Sequence, residues 1–142
     1  MRQAKIARGT AEGTVLVVDD EAPVRSIAVN MLKYLGYRVI EAQDGEEALR
    51  VLQTSTAPID AMMMDVYMPK LSGRDTFKQM RALGIEVPVV VCSGFMVERD
   101  EFSALSAGRN GPVEVIQKPY SMEALARVIN QAVTHGHQAL VA

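Results

Sequence analysis

Tryptophan is absent and cysteine occurs once, at Cys92. A single cysteine excludes an intrachain disulfide, so the fold must be held by its core, and the usage fits a reducing compartment. Cys92 sits in an apolar run and reads as a small buried hydrophobe rather than a reactive thiol. Charge of one sign is also lacking: Lys and Arg number 15, Asp and Glu 17, for a net of -2. A nucleic-acid surface usually shows a basic excess, so no nucleic acid is expected to bind directly. No apolar run approaches the roughly 18 residues of a membrane span. The opening stretch, MRQAKIARGTAEG, has no apolar segment of the signal-peptide kind, and residues 1–13 read as a mobile lead-in. What is present is 142 residues, 49% hydrophobic and 23% charged. That is enough for one globular domain with its own core.

Five short apolar runs recur: Thr14–Val18, Tyr37–Glu41, Ile59–Met64, Val87–Cys92 and Val113–Gln117. The first, third and fourth are nearly continuous in apolar residues, as strands buried on both faces of a parallel sheet are. The Met62–Met64 run belongs to that core packing. Amphipathic segments lie between them. Ala22–Leu35 places Val24, Ile27, Ala28, Met31, Leu32 and Leu35 at helical spacing, with Pro23 suited to a helix start and Gly36 to its stop. Asp44 to Glu47 resembles a capping box. Ser72 opens a third helix, with Phe77, Met80 and Leu83 inward. Arg99–Ala107 forms a shorter one. Ser121 caps the last, with Leu125, Val128, Ile129 and Ala132 on one face. Residues 14–134 thus form one (βα)5 domain, and residues 135–142, with His135 and His137, read as a tail. Such alternation builds an α/β fold, a parallel sheet with helices on both faces.

In these sheets functional residues gather outside the carboxyl ends of the strands. Asp19, Asp20 and Glu21 follow the first strand, Asp65 the third, Ser93 the fourth, and Lys118, Pro119 and Tyr120 the fifth. Asp65 is the puzzling member, because a lone carboxylate closing the run AMMM is costly near a core unless paired, liganded or used. Clustered carboxylates repel unless a cation intervenes. Hard oxygen donors with open positions suit Mg²⁺, which keeps waters and binds phosphate. One carboxylate can then attack a phosphoryl group and form an acyl phosphate. Lys118 supplies a point charge and Ser93 a hydrogen bond for phosphoryl oxygens. Asp65, on the central strand, is the natural nucleophile, with Asp19 and Asp20 holding the metal.

Four stretches, VLVVDDE, MMMDVYMP, VVVCSG and VIQKPY, resemble the motifs of response-regulator receiver domains of two-component signalling. The resemblance runs from about Thr14 to Val133. It implies a flavodoxin-like, doubly wound five-stranded sheet of order 2-1-3-4-5. It implies Asp65 as phosphoacceptor, Asp19 and Asp20 as the acidic pair, and Tyr67 as donor of a backbone carbonyl to Mg²⁺. Ser93 and Lys118 become the conformational and charge partners, and the Lys118–Pro119 bond is cis. The donor is a phosphohistidine on a sensor histidine kinase or phosphotransfer protein. The chain is then a cytoplasmic phosphoacceptor rather than an enzyme, a monomer or weak homodimer that passes its signal to a downstream protein. The opening EGTVLVVDDE and the ending VIQKPY are similar to receivers attached to hybrid sensor kinases.

Two features modulate this expectation. Many receivers carry an aromatic residue three positions before the lysine; here it is Val115, and Tyr120 is no equivalent substitute. Tyr67 and Phe95 lie two residues after Asp65 and Ser93, where their bulk is expected to hinder water and slow phosphate loss. The main alternative is a protein-interaction module that keeps the fold but works without phosphate. A flavin carrier would want a Ser-, Thr- and Gly-rich loop after the first strand, where DDEAP is acidic. An aspartyl phosphatase would need its nucleophile after the first strand.

Overall fold

Alternation of side chains on each strand divides the core into two layers. Val15 and Val17 of β1 (Thr14–Val18) point to one face, and Leu16 and Val18 to the other. The same division runs through β3 (Ala61–Asp65) and β4 (Val89–Ser93), and all three strands are buried along their whole length. β2 (Arg38–Ala42) is mixed, as an edge strand is, and β5 is Val113–Gln117. The strands form one parallel sheet in the order β2-β1-β3-β4-β5. This computed structural model describes residues 9, 11–94 and 113–141, the side chains of 113 and 135–141 excepted. The expected helix at Arg99–Ala107, the loop after it and Phe95 lie outside the described residues.

Helices cover both faces. α1 (Ala22–Leu35) and α4 (Met122–Val141) bury Ala28, Val29, Leu32 and Leu35, and Leu125, Val128, Ile129 and Ala132, against the first layer. α2 (Gly45–Thr54) and α3 (Gly73–Ala82) bury Ala48, Leu49, Phe77 and Met80 against the second. Local chemistry sets the ends. Gly36 takes a left-handed φ of 112° and its N–H bonds the carbonyls of Leu32 and Lys33, which stops α1. Asp44 accepts from the Glu47 N–H at 2.8 Å, while Glu47 accepts from the Gln43 N–H at 3.2 Å. This is the expected capping box, closed one residue early. Ser72 and Ser121 accept from the N–H groups of Asp75 and Ala124.

Four expectations need correction. Ile27 is 55% exposed and Val29 takes the inward place, because the inward stripe of α1 falls on 28, 29, 32 and 35. Leu83 caps α3 rather than packing inward and is 53% exposed. The end of the lead-in is anchored: the N–H groups of Gly9 and Ala11 bond the carbonyls of Tyr34 and Leu35, which α1 itself leaves without partners. The backbone of 135–141 continues α4, since nothing there but Gly136 opposes a helix.

Candidate functional site

The chain leaves β1 for β2 at one edge and returns to β3 on the other side of β1. The crevice at this reversal, above the carboxyl ends of β1 and β3, is where such sheets hold ligands. Asp19 follows β1, and Asp65 and Ser93 are the last residues of β3 and β4. The sequence expectation put Asp65 and Ser93 just beyond their strands. Membership of the strand fixes their main chains in the ladder, and Val66 N–H bonds the Cys92 carbonyl at 3.1 Å. The Lys118 N–H donates to the Ser93 carbonyl at 2.8 Å, which brings the fifth strand's end to the same rim.

The side chains converge as expected. Carboxylate oxygens of Asp19, Asp20 and Asp65 lie within 4.8 Å of one another. Lys118 Nζ stands 3.3 Å from Asp19 Oδ2 and 3.6 Å from Asp65 Oδ2. Asp19 Oδ1 accepts from the Glu21 N–H at 2.9 Å. Asp65 Oδ1 faces the Tyr67 N–H at 3.4 Å. Asp19, Asp65 and Ser93 are buried, whereas Asp20 is exposed. Tyr67 is 59% exposed and stands at the rim. The Lys118–Pro119 peptide is cis. Tyr120 is half-buried and lines the cleft beneath the carboxylates with Cys92 and Val24. Val115 is half-buried against the opposite layer.

Electrostatics follow from this packing. Burial raises the Asp65 pKa above its ordinary value; Lys118 opposes that, Asp19 reinforces it, and the Tyr67 N–H pulls it down. Burial pulls the Lys118 ammonium down, but Asp65 and Asp19 beside it more than offset this, so its pKa rises and it stays charged. Burial raises both the Cys92 thiol and the Tyr120 hydroxyl. Cys92 is therefore no thiolate, in keeping with its reading as a hydrophobe. Three hard oxygen donors on a partly open rim, with one fixed ammonium opposite, fit a small divalent cation together with an anionic ligand.

The model of the response regulator receiver domain matches residues 15–130. The chain belongs to this family. As a receiver domain it is a component of two-component systems. It is 31% identical over 120 residues to the response regulator SaeR of Staphylococcus aureus, a match over 84% of this chain. It spans about half the length of the curated relatives it matches (50% for SaeR). Among solved structures it is similar to the chemotaxis protein CheY4 of Vibrio cholerae, with TM-score 0.73 and 27% identity over 86% of this chain and 99% of that one. It is also similar to the receiver domain of the hybrid histidine kinase CckA, with TM-score 0.69 and 33% identity over 85% of this chain and 99% of that one. Among the described residues, no helix is long and apolar enough to cross a membrane.

Three features of this receiver escaped the sequence. Lys70 holds a left-handed φ of 66° in the loop after β3. Arg25 reaches from α1 to both the Asp19 carbonyl and Glu41. Arg81 is buried over the Phe77 ring. The first had a faint signal, since Pro69-Lys70 in a tight loop marks a turn. Arg25 depends on a contact between elements and Arg81 on the loop that follows its helix, neither of which periodicity carries.

Proposed function

We propose that the chain accepts a phosphoryl group on Asp65 from the phosphohistidine of a sensor kinase or phosphotransfer protein, with Mg²⁺ as cofactor. The observation that carries this reading is the placement of Lys118 between Asp19 and Asp65, with Asp20 in the same cluster. Asp19, Asp20 and Asp65 would hold the metal, joined by the Tyr67 carbonyl. When bound, Mg²⁺ neutralises charge on the phosphoryl oxygens.

The remaining work falls to the chain's own residues. A carboxylate oxygen of Asp65 attacks phosphorus along the open side of the rim. The new O–P bond forms as the histidine N–P bond breaks, and the electron pair leaves with the imidazole, which takes a proton. Lys118 is held between two carboxylates, so it is placed to exchange one of them for a phosphoryl oxygen. The Ser93 hydroxyl donates to another. Positioning and charge neutralisation are most of what phosphoryl transfer asks of a protein. Signal then passes through altered surface contacts to a downstream protein. Val115 leaves no aromatic ring to swing in from β5, so the change is carried by the Ser93 and Lys118 ends of their strands. We place the chain in the cytoplasm, as a monomer or weak homodimer, and as a phosphoacceptor that promotes its own modification and slow dephosphorylation rather than an enzyme. Tyr67 at the rim supports slow loss of phosphate by hindering in-line water, a role that the sequence position of Phe95, two residues after Ser93, leads us to share with it.

Intact mass after incubation with Mg²⁺ and acetyl phosphate tests the reading. The expected result is one phosphoryl adduct, labile to base, dependent on Mg²⁺ and absent from Asp65→Asn. Absence of both the adduct and Mg²⁺ binding from the wild type would replace it with the phosphate-independent interaction module. Decay of the adduct should quicken in Tyr67→Asn combined with Phe95→Ala; an unchanged rate would remove the hindrance argument.

A further inference from the structure

Asp19 lies just beyond β1, yet both its main-chain N–H and its carbonyl are hydrogen-bonded. Its N–H donates to the Ala42 carbonyl at 3.2 Å. Its carbonyl accepts from Arg25 Nη1 at 2.7 Å. Arg25 Nε in turn donates to Glu41 Oε1 at 3.0 Å. Glu41 and Ala42 are adjacent residues of β2, paired with Val17 and Val18 of β1. The peptide of Asp19 is therefore gripped on one side by β2 directly, and on the other by β2 through Glu41 and Arg25.

We infer that Arg25 is a positioning residue: its guanidinium, braced by Glu41, holds the Asp19–Asp20 turn in the shape that gathers the carboxylates for Mg²⁺. This rests on the metal-assisted reading above and goes beyond it by assigning a residue that does not touch the ion. The guanidinium suits the task because its planar fork serves two acceptors at once. The Arg25 side chain is 17% exposed, against 48% for Glu41. The part-buried bond to the Asp19 carbonyl carries the grip, and the exposed bond to Glu41 orients the guanidinium rather than adding stability. Partners of this kind around metal ligands typically matter about 10–100-fold in affinity.

Charge gives the test its sign. Arg25 is a fixed cation near a site for another cation, so by Coulomb's law alone its removal would tighten Mg²⁺ binding. A positioning role predicts the opposite. Mg²⁺ affinity is measured calorimetrically on the full chain for wild type, Arg25→Met and Arg25→Lys, beside thermal melts in metal-free buffer. Arg25→Met should weaken binding by about tenfold. Arg25→Lys keeps the charge but can serve one acceptor at a time, and should fall between the two. Unchanged or tighter binding in Arg25→Met overturns the inference, even if the variant melts lower, since that is a structural role only. Should Arg25→Met not fold, Glu41→Asp keeps the charge and breaks the 3.0 Å bond. Weaker Mg²⁺ binding there supports the inference and unchanged binding overturns it. A wild type that binds no Mg²⁺ overturns the metal-assisted reading as well, whereas Mg²⁺ binding that is equal in wild type and variant overturns only the role of Arg25.

Discussion

Gly73 opens α3 directly against the strand that ends in Asp65, and its N–H donates to the Val66 carbonyl at 2.8 Å. A Cβ added there would stand 2.5 Å from the Asp65 carbonyl oxygen and 2.9 Å from Val66 Cα. Both are backbone atoms and cannot rotate aside, so Gly73→Ala must displace either α3 or the Asp65–Val66 peptide. Overpacking of this kind costs about 1–3 kcal/mol. The helix propensity of alanine returns part of it, up to about 1 kcal/mol in a helix interior and less at a first position. A net loss of about 1–2 kcal/mol corresponds to a melting temperature lower by roughly 3–8 °C for a chain of this size. The displaced peptide belongs to the residue proposed as nucleophile. Since about 1 Å of misplacement can cost about 100-fold, a shift of a few tenths of an ångström should slow phosphorylation several-fold. Melting followed by circular dichroism and adduct formation followed by mass test both halves. A variant that melts and phosphorylates as the wild type does would refute the claim that glycine is required there for space.

Three other perturbations have defined outcomes. The raised Asp65 pKa means that the folded state binds this proton more tightly than the unfolded chain, so its contribution to stability diminishes as pH rises from the ordinary value of 3.8 through the folded one. Asp65→Asn should therefore melt higher than wild type at neutral pH, with the gap closing as pH falls, and a lower melting point at pH 7 would contradict this. Lys70→Gly relieves a left-handed φ costing about 1–2 kcal/mol against about 0.5–1 for glycine's extra chain entropy. The exposed contact to Asp44 at 3.9 Å is too weak to reverse that, so denaturant titration should find the variant slightly more stable. Arg81 Nη1 donates to the carbonyls of Ile85 and Val87 at 2.8 and 3.2 Å, and the guanidinium lies 4.6 Å from the Phe77 ring centroid. Its Nε and Nη2 are buried without a hydrogen-bond partner among the described residues. Arg81→Met should lose about 2 kcal/mol in the same titration, because two carbonyls lose their donor.

Much of this molecule is legible in its residues because period and position carry the relevant physics. Continuous apolar runs at β1, β3 and β4 became the strands buried along their whole length, and the expected range Ala22–Leu35 is that of α1, with Pro23 in its first turn and Gly36 as its cap. The site was legible for a topological reason. Parallel strands all end on one rim, so Asp19, Asp20, Asp65, Ser93 and Lys118 needed only strand-end positions to be placed together. Ile27 and Leu83 were misread because helical spacing gives a stripe but not its rotation about the axis or where the helix stops. The end of the lead-in was read as mobile because what anchors it is backbone, the bonds from Gly9 and Ala11 to the last carbonyls of α1. Lys70 was hidden because its strain lies in φ, and Arg25 because its partners are far apart in the chain.

The central claim is that Asp65 carries the phosphoryl group. The most direct measurement is residue-level mapping: phosphorylate with acetyl phosphate and Mg²⁺, reduce the acyl phosphate with borohydride, and locate the reduced residue by peptide mass spectrometry. The account predicts reduction at position 65 alone, with Asp19 and Asp20 unmodified. A label on Asp19, Asp20 or a histidine, or a labelled wild type whose position 65 is intact, would contradict it.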